Sequence, residues 1–97
     1  MSYARLILFT LDPGSRTFGE GIADQFAPAL RSMPGFEQVS FFLDETSGEY
    51  GSLTVWASKD EADAANQLTM PRLQQALEGK LKAPPVIKEF EVYLPKN

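Results

Sequence analysis

Histidine and cysteine are both missing from the 97 residues. Without cysteine there is no disulfide framework, thiolate nucleophile or thiolate metal site. Without histidine there is no imidazole ligand for zinc or haem, no imidazole general base and no Ser-His-Asp triad. Metal binding would fall to carboxylates and carbonyls, which suit magnesium or calcium. Basic charge is scarce: Lys and Arg number 9 against 13 Asp and Glu, a net charge of −4. Such a chain lacks the positive field by which proteins hold nucleic acid. No apolar run reaches the roughly 20 residues of a membrane-spanning helix. The opening Met-Ser-Tyr-Ala-Arg has neither the basic nor the apolar region of a signal peptide. The expectation is a cytoplasmic protein with no nucleic-acid or membrane partner. A phosphate loop is absent too, because Gly14, Gly19 and Gly21 make no GxGxxG and no Lys-Ser/Thr follows.

What is present is ordinary globular composition, 43% hydrophobic and 23% charged, read as one domain over residues 1–97. Residues 4–11 form an apolar run closed by Asp12-Pro13-Gly14, a buried strand and a turn. Ile22, Phe26, Ala29, Leu30 and Met33 carry helical spacing over 17–33. Thr17 to Glu20 fits a capping box, Pro28 predicts a kink or break, and Pro34-Gly35 stops the helix. Residues 37–44 and 50–57 alternate as two strands joined by the polar loop Glu45–Glu49, and so pair antiparallel. Ser58 to Glu61 is a second capping box. It opens a helix with Ala62, Ala65, Leu68, Leu73 and Leu77 inward, divided near Thr69-Met70 by Pro71 and stopped at Gly79. Residues 86–94 form the last strand and Pro95-Lys96-Asn97 a tail.

The order is β-α-β-β-α-β, an α+β ferredoxin-like arrangement with both helices on one face of a four-stranded antiparallel sheet. Several strands are apolar at both parities, so the uncovered sheet face would leave an apolar patch of several hundred Å2, rare on a soluble monomer. The expected partner is a second copy, a two-fold homodimer packed through the sheet face.

Three local features run together along this frame. A first strand ends in Asp12-Pro13-Gly14, a helix ends in Met33-Pro34-Gly35-Phe36, and Val55-Trp56-Ala57-Ser58-Lys59-Asp60-Glu61-Ala62 leads from a third strand into the second helix. In these features, and over residues 3–94, the chain resembles the antibiotic-biosynthesis monooxygenase (ABM) family of the dimeric α+β barrel superfamily. The resemblance implies a homodimer with a pocket between sheet and helices in each subunit. Some members oxidise quinols or aromatic polyketides with O2 and no cofactor, others degrade haem, and some relatives have no known activity. Trp56 matches the family's strand-three tryptophan. Ser52 stands where a cofactor-independent polyketide oxygenase of the family has an asparagine, and Ala62 where it has a tyrosine. The helix-two arginine aligns with Arg72 or gives way to Gln74. The haem-degrading branch needs a helix-two histidine, so haem degradation is not expected, and neither is any cofactor.

The candidate ligand-binding residues are Trp56, Arg72, Asn66, Phe9, Ile7 and Met70, and no catalytic residue is assigned. Trp56 offers an indole N–H and a stacking ring, against a plain core anchor. Arg72 would stabilise a phenolate or a reduced-oxygen anion, against a solvated helix charge. Asn66 faces the pocket or stays a surface polar group. Arg5 lines the cavity or pairs with Glu89 or Glu91 across the sheet. Phe9, Ile7, Phe41, Phe42 and Met70 make a pocket wall or plain core. Tyr50 and Tyr93, near strand ends, are read as rim packing. Asp60, Glu61 and Asp63 are explained by the cap and the helix dipole rather than by a metal, and Glu89 with Glu91 by a solvated face. Two functions follow: a cofactor-independent monooxygenase acting on a quinol or polycyclic aromatic with O2, or a non-catalytic module for a small aromatic ligand. Other ferredoxin-like classes fit less well, since no acylphosphatase loop follows strand one and an RNA-recognition sheet needs basic flanks.

Overall fold

Alternating segments pair into one sheet in the computed structural model, which describes residues 1–96. Asn97, the end of the expected tail, lies outside the described residues. The elements are β1 (Tyr3–Thr10), α1 (Arg16–Arg31), β2 (Phe36–Asp44), β3 (Glu49–Trp56), α2 (Lys59–Ala76) and β4 (Val86–Glu91). The sheet order is β2-β3-β1-β4, with every neighbouring pair antiparallel. This is the ferredoxin-like topology expected from the order of elements.

Register decides which residues see the helices. Opposite β1, Arg5 pairs with Thr54, Ile7 with Ser52 and Phe9 with Tyr50. On the far side Arg5 pairs with Glu89 and Ile7 with Ile87. Val39, Phe41 and Leu43 of β2 join the same face. The helices cover this face, since Ile22, Phe26 and Leu30 of α1 and Ala62 and Ala65 of α2 share a core with Trp56. The other parity puts Ala4, Leu6, Leu8, Leu53, Val55, Phe42, Val86 and Phe90 on the opposite face. Neither helix reaches it, and Phe42, Val86 and Phe90 stand exposed there. Gly51 leaves a notch in this face, where a Cβ would run into the Ile7 carbonyl and the Leu8 and Phe42 side chains.

Four expectations need correction. Thr17 is not the cap of α1. The helix starts one residue earlier, and Ser15, its N-cap, spends its hydroxyl on the Asp12 carbonyl at 2.7 Å. Glu20 bonds Arg16 at 3.1 Å instead of reaching back. Neither proline breaks its helix: α1 continues past Pro28 and α2 past Pro71. The carbonyls that lose a donor belong to Asp24 and Gln67, both exposed residues, and a helix tolerates a missing donor best on its solvent side. Leu68 does not face inward; it lies about 120° around α2 from Ala62 and is exposed. Finally, β4 ends at Glu91 rather than at 94, because its partner β1 begins at Tyr3, opposite Glu91. Only the Val92 N–H continues the ladder, to the Ser2 carbonyl at 2.9 Å.

At the second capping site the Ser58 half of the box is as expected, while Glu61 takes the Ser58 hydroxyl in place of its backbone N–H. Ser58 Oγ accepts the Glu61 N–H at 3.2 Å, and its hydroxyl donates to Glu61 Oε1 at 3.1 Å. Asp60 and Glu61 also place negative charge in the first turn. Ser58→Ala should therefore lower stability by about 1 kcal/mol, or Tm by about 4–8 °C. Thr17→Ala should leave Tm within about 2 °C of wild type. Thermal circular dichroism separates the two variants.

Candidate functional site

The helix layer does not fill the space above the sheet. Its contact face is built of short side chains: Gly19 and Ala23 on α1, and Ala62, Ala65, Asn66 and Thr69 on α2. Below them, the middle of β3 offers only Ser52 and Thr54. Larger side chains gather at the two ends. Trp56, Ile22, Phe26 and Leu30 form one cluster; Phe9, Leu11, Tyr50 and Leu77 form the other. Phe18 and Leu73 pack against both. Between them lies a cavity of about 420 Å3, within the range of small-molecule sites. Its floor follows the row Tyr50, Ser52, Thr54 and Trp56, a slot about 20 Å long at the strand rise.

The walls are mostly apolar, with Ile7, Phe9, Ile22, Phe26, Leu30 and Leu73 prominent. Trp56 is 1% exposed and packs edge-on to Phe36, with ring centroids 5.7 Å apart. Tyr50 stacks near Phe9 at 6.3 Å, and its ring lies against Gly19, where a Cβ would come within 3.0 Å. Four buried side-chain polar atoms among the described residues have no hydrogen-bond partner: Arg5 Nε, Tyr50 Oη, Trp56 Nε1 and Asn66 Oδ1. All four belong to residues that line this cavity. Buried polar groups are normally paired, and leaving one unpaired costs about 1–3 kcal/mol.

Arg5 holds the only cation of the lining. Its Nη1 donates to Glu89 Oε1 at 2.7 Å, and Glu89 Oε2 accepts the Tyr3 hydroxyl at 3.4 Å. Burial lowers the Arg5 pKa from its usual value, against the raising effects of Glu89 and Asp63. Both readings of Arg5 hold at once: it lines the cavity and it pairs across the sheet. Glu20 is the only carboxylate of the lining; it is exposed and bound to Arg16. Among the described residues no group of three or more carboxylates gathers as a metal site, and no helix is long and apolar enough to cross a membrane.

Of the residues singled out in the sequence, Trp56, Asn66, Phe9 and Ile7 meet at the cavity, as does Phe41; Phe42 also borders it, but its ring lies on the opposite sheet face beside Gly51 and Leu8. Arg72 and Met70 do not line it. The cavity face of α2 carries 62, 65, 66, 69 and 73, and residues 70 and 72 fall about 80° to either side. Arg72 is exposed and borders a shallow outer groove between the helices, with Phe18, Ile22 and Gln75. Tyr50 is not rim packing but a buried wall of the cavity, 2% exposed, whereas Tyr93 lies exposed beyond β4. The small residues at i, i+3, i+4 and i+7 of α2 were the available signal for a hollow, and core reasoning reads such residues as close packing.

Comparison with known proteins adds the following. The family model described as antibiotic biosynthesis monooxygenase matches residues 2–78, which take in every element but β4. No curated protein matches the chain by sequence. Among solved structures, Rv0793 from Mycobacterium tuberculosis superposes with a TM-score of 0.80 at 15% identity, covering 100% of both chains. SnoaB, a cofactor-independent oxygenase from Streptomyces nogalater, gives a TM-score of 0.77 at 18% identity, covering 97% of this chain and 95% of that one. The NE2512 protein of unknown function from Nitrosomonas europaea gives 0.80 at 15%, covering 99% and 93%. At these identities the likeness is one of fold.

Proposed function

The chain belongs to the antibiotic biosynthesis monooxygenase family, and we propose that it is a cofactor-independent oxygenase of that family, acting as one domain on an electron-rich aromatic such as a quinol or a polycyclic phenol. The observation that carries this reading is the set of four unpartnered polar groups around an apolar cavity. Two are donors only, the Arg5 Nε–H and the Trp56 indole N–H; the Asn66 carbonyl accepts, and the Tyr50 hydroxyl does either. A flat ligand bearing hydroxyl and carbonyl oxygens satisfies all four, with side-chain rotations of the kind that accompany binding. SnoaB, a cofactor-independent oxygenase, shares the fold.

The chemistry asks little of the protein beyond charge placement. A substrate with an acidic ring methylene loses a proton, and the anion passes one electron to O2. The two radicals join at that carbon as a peroxide, and loss of water leaves a carbonyl. The balance is CH2 and O2 to C=O and H2O, with the substrate supplying all four electrons. With no histidine in the chain, substrate acidity must take the place of a tuned base. The Arg5 guanidinium and the Trp56 N–H would lower the substrate's pKa by holding its anionic oxygen in a low-dielectric site. Asn66 and Tyr50 would fix the ring's orientation.

The second reading, a binding module without turnover, is favoured by one observation: Ser52 and Ala62 stand where the family's polyketide oxygenase has an asparagine and a tyrosine. Oxygen consumption separates the two. With a panel of quinols and anthrones, one O2 should disappear per substrate oxidised. Trp56→Phe, which keeps the ring and removes the N–H, should lower kcat/KM about ten- to hundredfold. Saturable binding with no uptake above buffer would select the binding module.

A second copy completes the proposed assembly. The open sheet face, centred on the half-buried Leu6, Leu8, Leu53 and Val55, is apolar and has no helix over it among the described residues. An isologous pair would bury it sheet against sheet. Sedimentation at micromolar concentration should give twice the 10.7 kDa of one chain, and Leu53→Glu should shift the particle to the single-chain mass. A wild-type particle of single-chain mass would contradict the dimer.

A further inference from the structure

Arg5 is 6% exposed. Arginine is seldom buried so deeply unless its guanidinium is fully matched. Here the matching is incomplete. Nη1 is bound to Glu89, while Nε is buried with no acceptor. The two ends of the ion pair sit in different surroundings. The Arg5 side chain is 7% exposed and that of Glu89 is 31% exposed, on the edge strand β4. Water screens the carboxylate more than the guanidinium, so the positive end of the pair dominates the field inside. Asp63 of α2, whose charge also reaches Arg5, lies outside the lining and is held by Lys59 at 2.8 Å. Glu20, the other charged lining residue, is exposed and held by Arg16 at 3.1 Å. Thr54, directly opposite Arg5 in the register, adds a hydroxyl in the same row.

We propose that Arg5 is the specificity-determining residue of the cavity, selecting the ionised form of an aromatic ligand by taking a carboxylate or phenolate oxygen on its guanidinium. The inference rests on the cavity being the ligand site and is independent of turnover. A charge-assisted contact of this kind is roughly twice as strong as a neutral one and is strengthened by exclusion of water. The apolar walls hold the ring and do not distinguish the charged from the neutral form; that choice falls to Arg5. The chain's net charge of −4 opposes anions at long range. The selectivity is therefore a contact effect, and salt, which screens distant charges, does not remove it.

The test compares 2-naphthoate with 2-naphthamide, probes of one ring system that differ in charge, by isothermal titration at pH 7. Wild type should bind the carboxylate at least about tenfold tighter than the amide. The double variant Arg5→Gln, Glu89→Gln removes both charges together, so no unpaired carboxylate is left behind, and thermal unfolding checks that it folds. Its preference should fall to about one, with amide affinity within about threefold of wild type. Should that variant fail to fold, Arg5→Lys decides: a compact ammonium without the planar fork should reduce the preference at least about threefold. A wild-type ratio near one, or an unchanged ratio in the folded variant, would overturn the proposal. Binding of neither probe would overturn it together with the reading of the cavity as a ligand site. Selective binding with no oxygen uptake from any quinol would remove the oxygenase reading and leave this one standing.

Discussion

Two helices laid over four strands can close the inner sheet face only if their contact residues are large enough to meet it. Here they are not. Gly19, Ala23, Ala62 and Ala65 keep the helices' contact face shallow. Trp56 and Leu77, each 1% exposed, secure the two ends of the layer. The backbone geometry of an ordinary ferredoxin-like layer is thus kept while its middle is left hollow. Protein interiors are close-packed, so a hollow of about 420 Å3 forgoes packing contacts that a filled layer would make.

The polar groups follow the same logic. Arg5, Tyr50, Trp56 and Asn66 come from β1, β3 and α2, far apart in sequence; all four residues line one hollow, and each has one buried atom unmatched. Scattered defects would not coincide in this way. Under the proposed function, a ligand with complementary oxygens would turn the unmatched atoms from a penalty into binding energy.

Much of the fold was legible in the sequence because it rests on local rules. A short apolar run marked β1, alternation marked the other three strands, and Ser58 with Glu61 marked the start of α2. The failures were failures of context. Thr17 has the chemistry of a cap, but Ser15 stands one residue before the helix start. Pro28 and Pro71 lack donors, but the carbonyls they orphan belong to exposed residues. Residues 92–94 alternate like a strand, but β1 offers them no partner. The site was legible in part: Trp56, Asn66, Phe9 and Ile7 do meet. Arg72 and Met70 were drawn in by chemistry and by resemblance, and the helical wheel turns both away. Tyr50 was passed over because a tyrosine near a strand end usually packs at a rim. Which parity of β1 faced the helices depended on pairing with β3 and β4, and no single strand carries that information.

Trp56 is the only tryptophan, so its indole N–H gives one resolvable nuclear magnetic resonance signal, from a residue that lines the cavity. Titrating the protein with a hydroxylated aromatic ketone should move that signal downfield and saturate it, together with the Asn66 side-chain amide, as the unmatched groups gain partners. An indole signal that stays fixed while backbone signals on the open sheet face move would contradict the cavity as the ligand site.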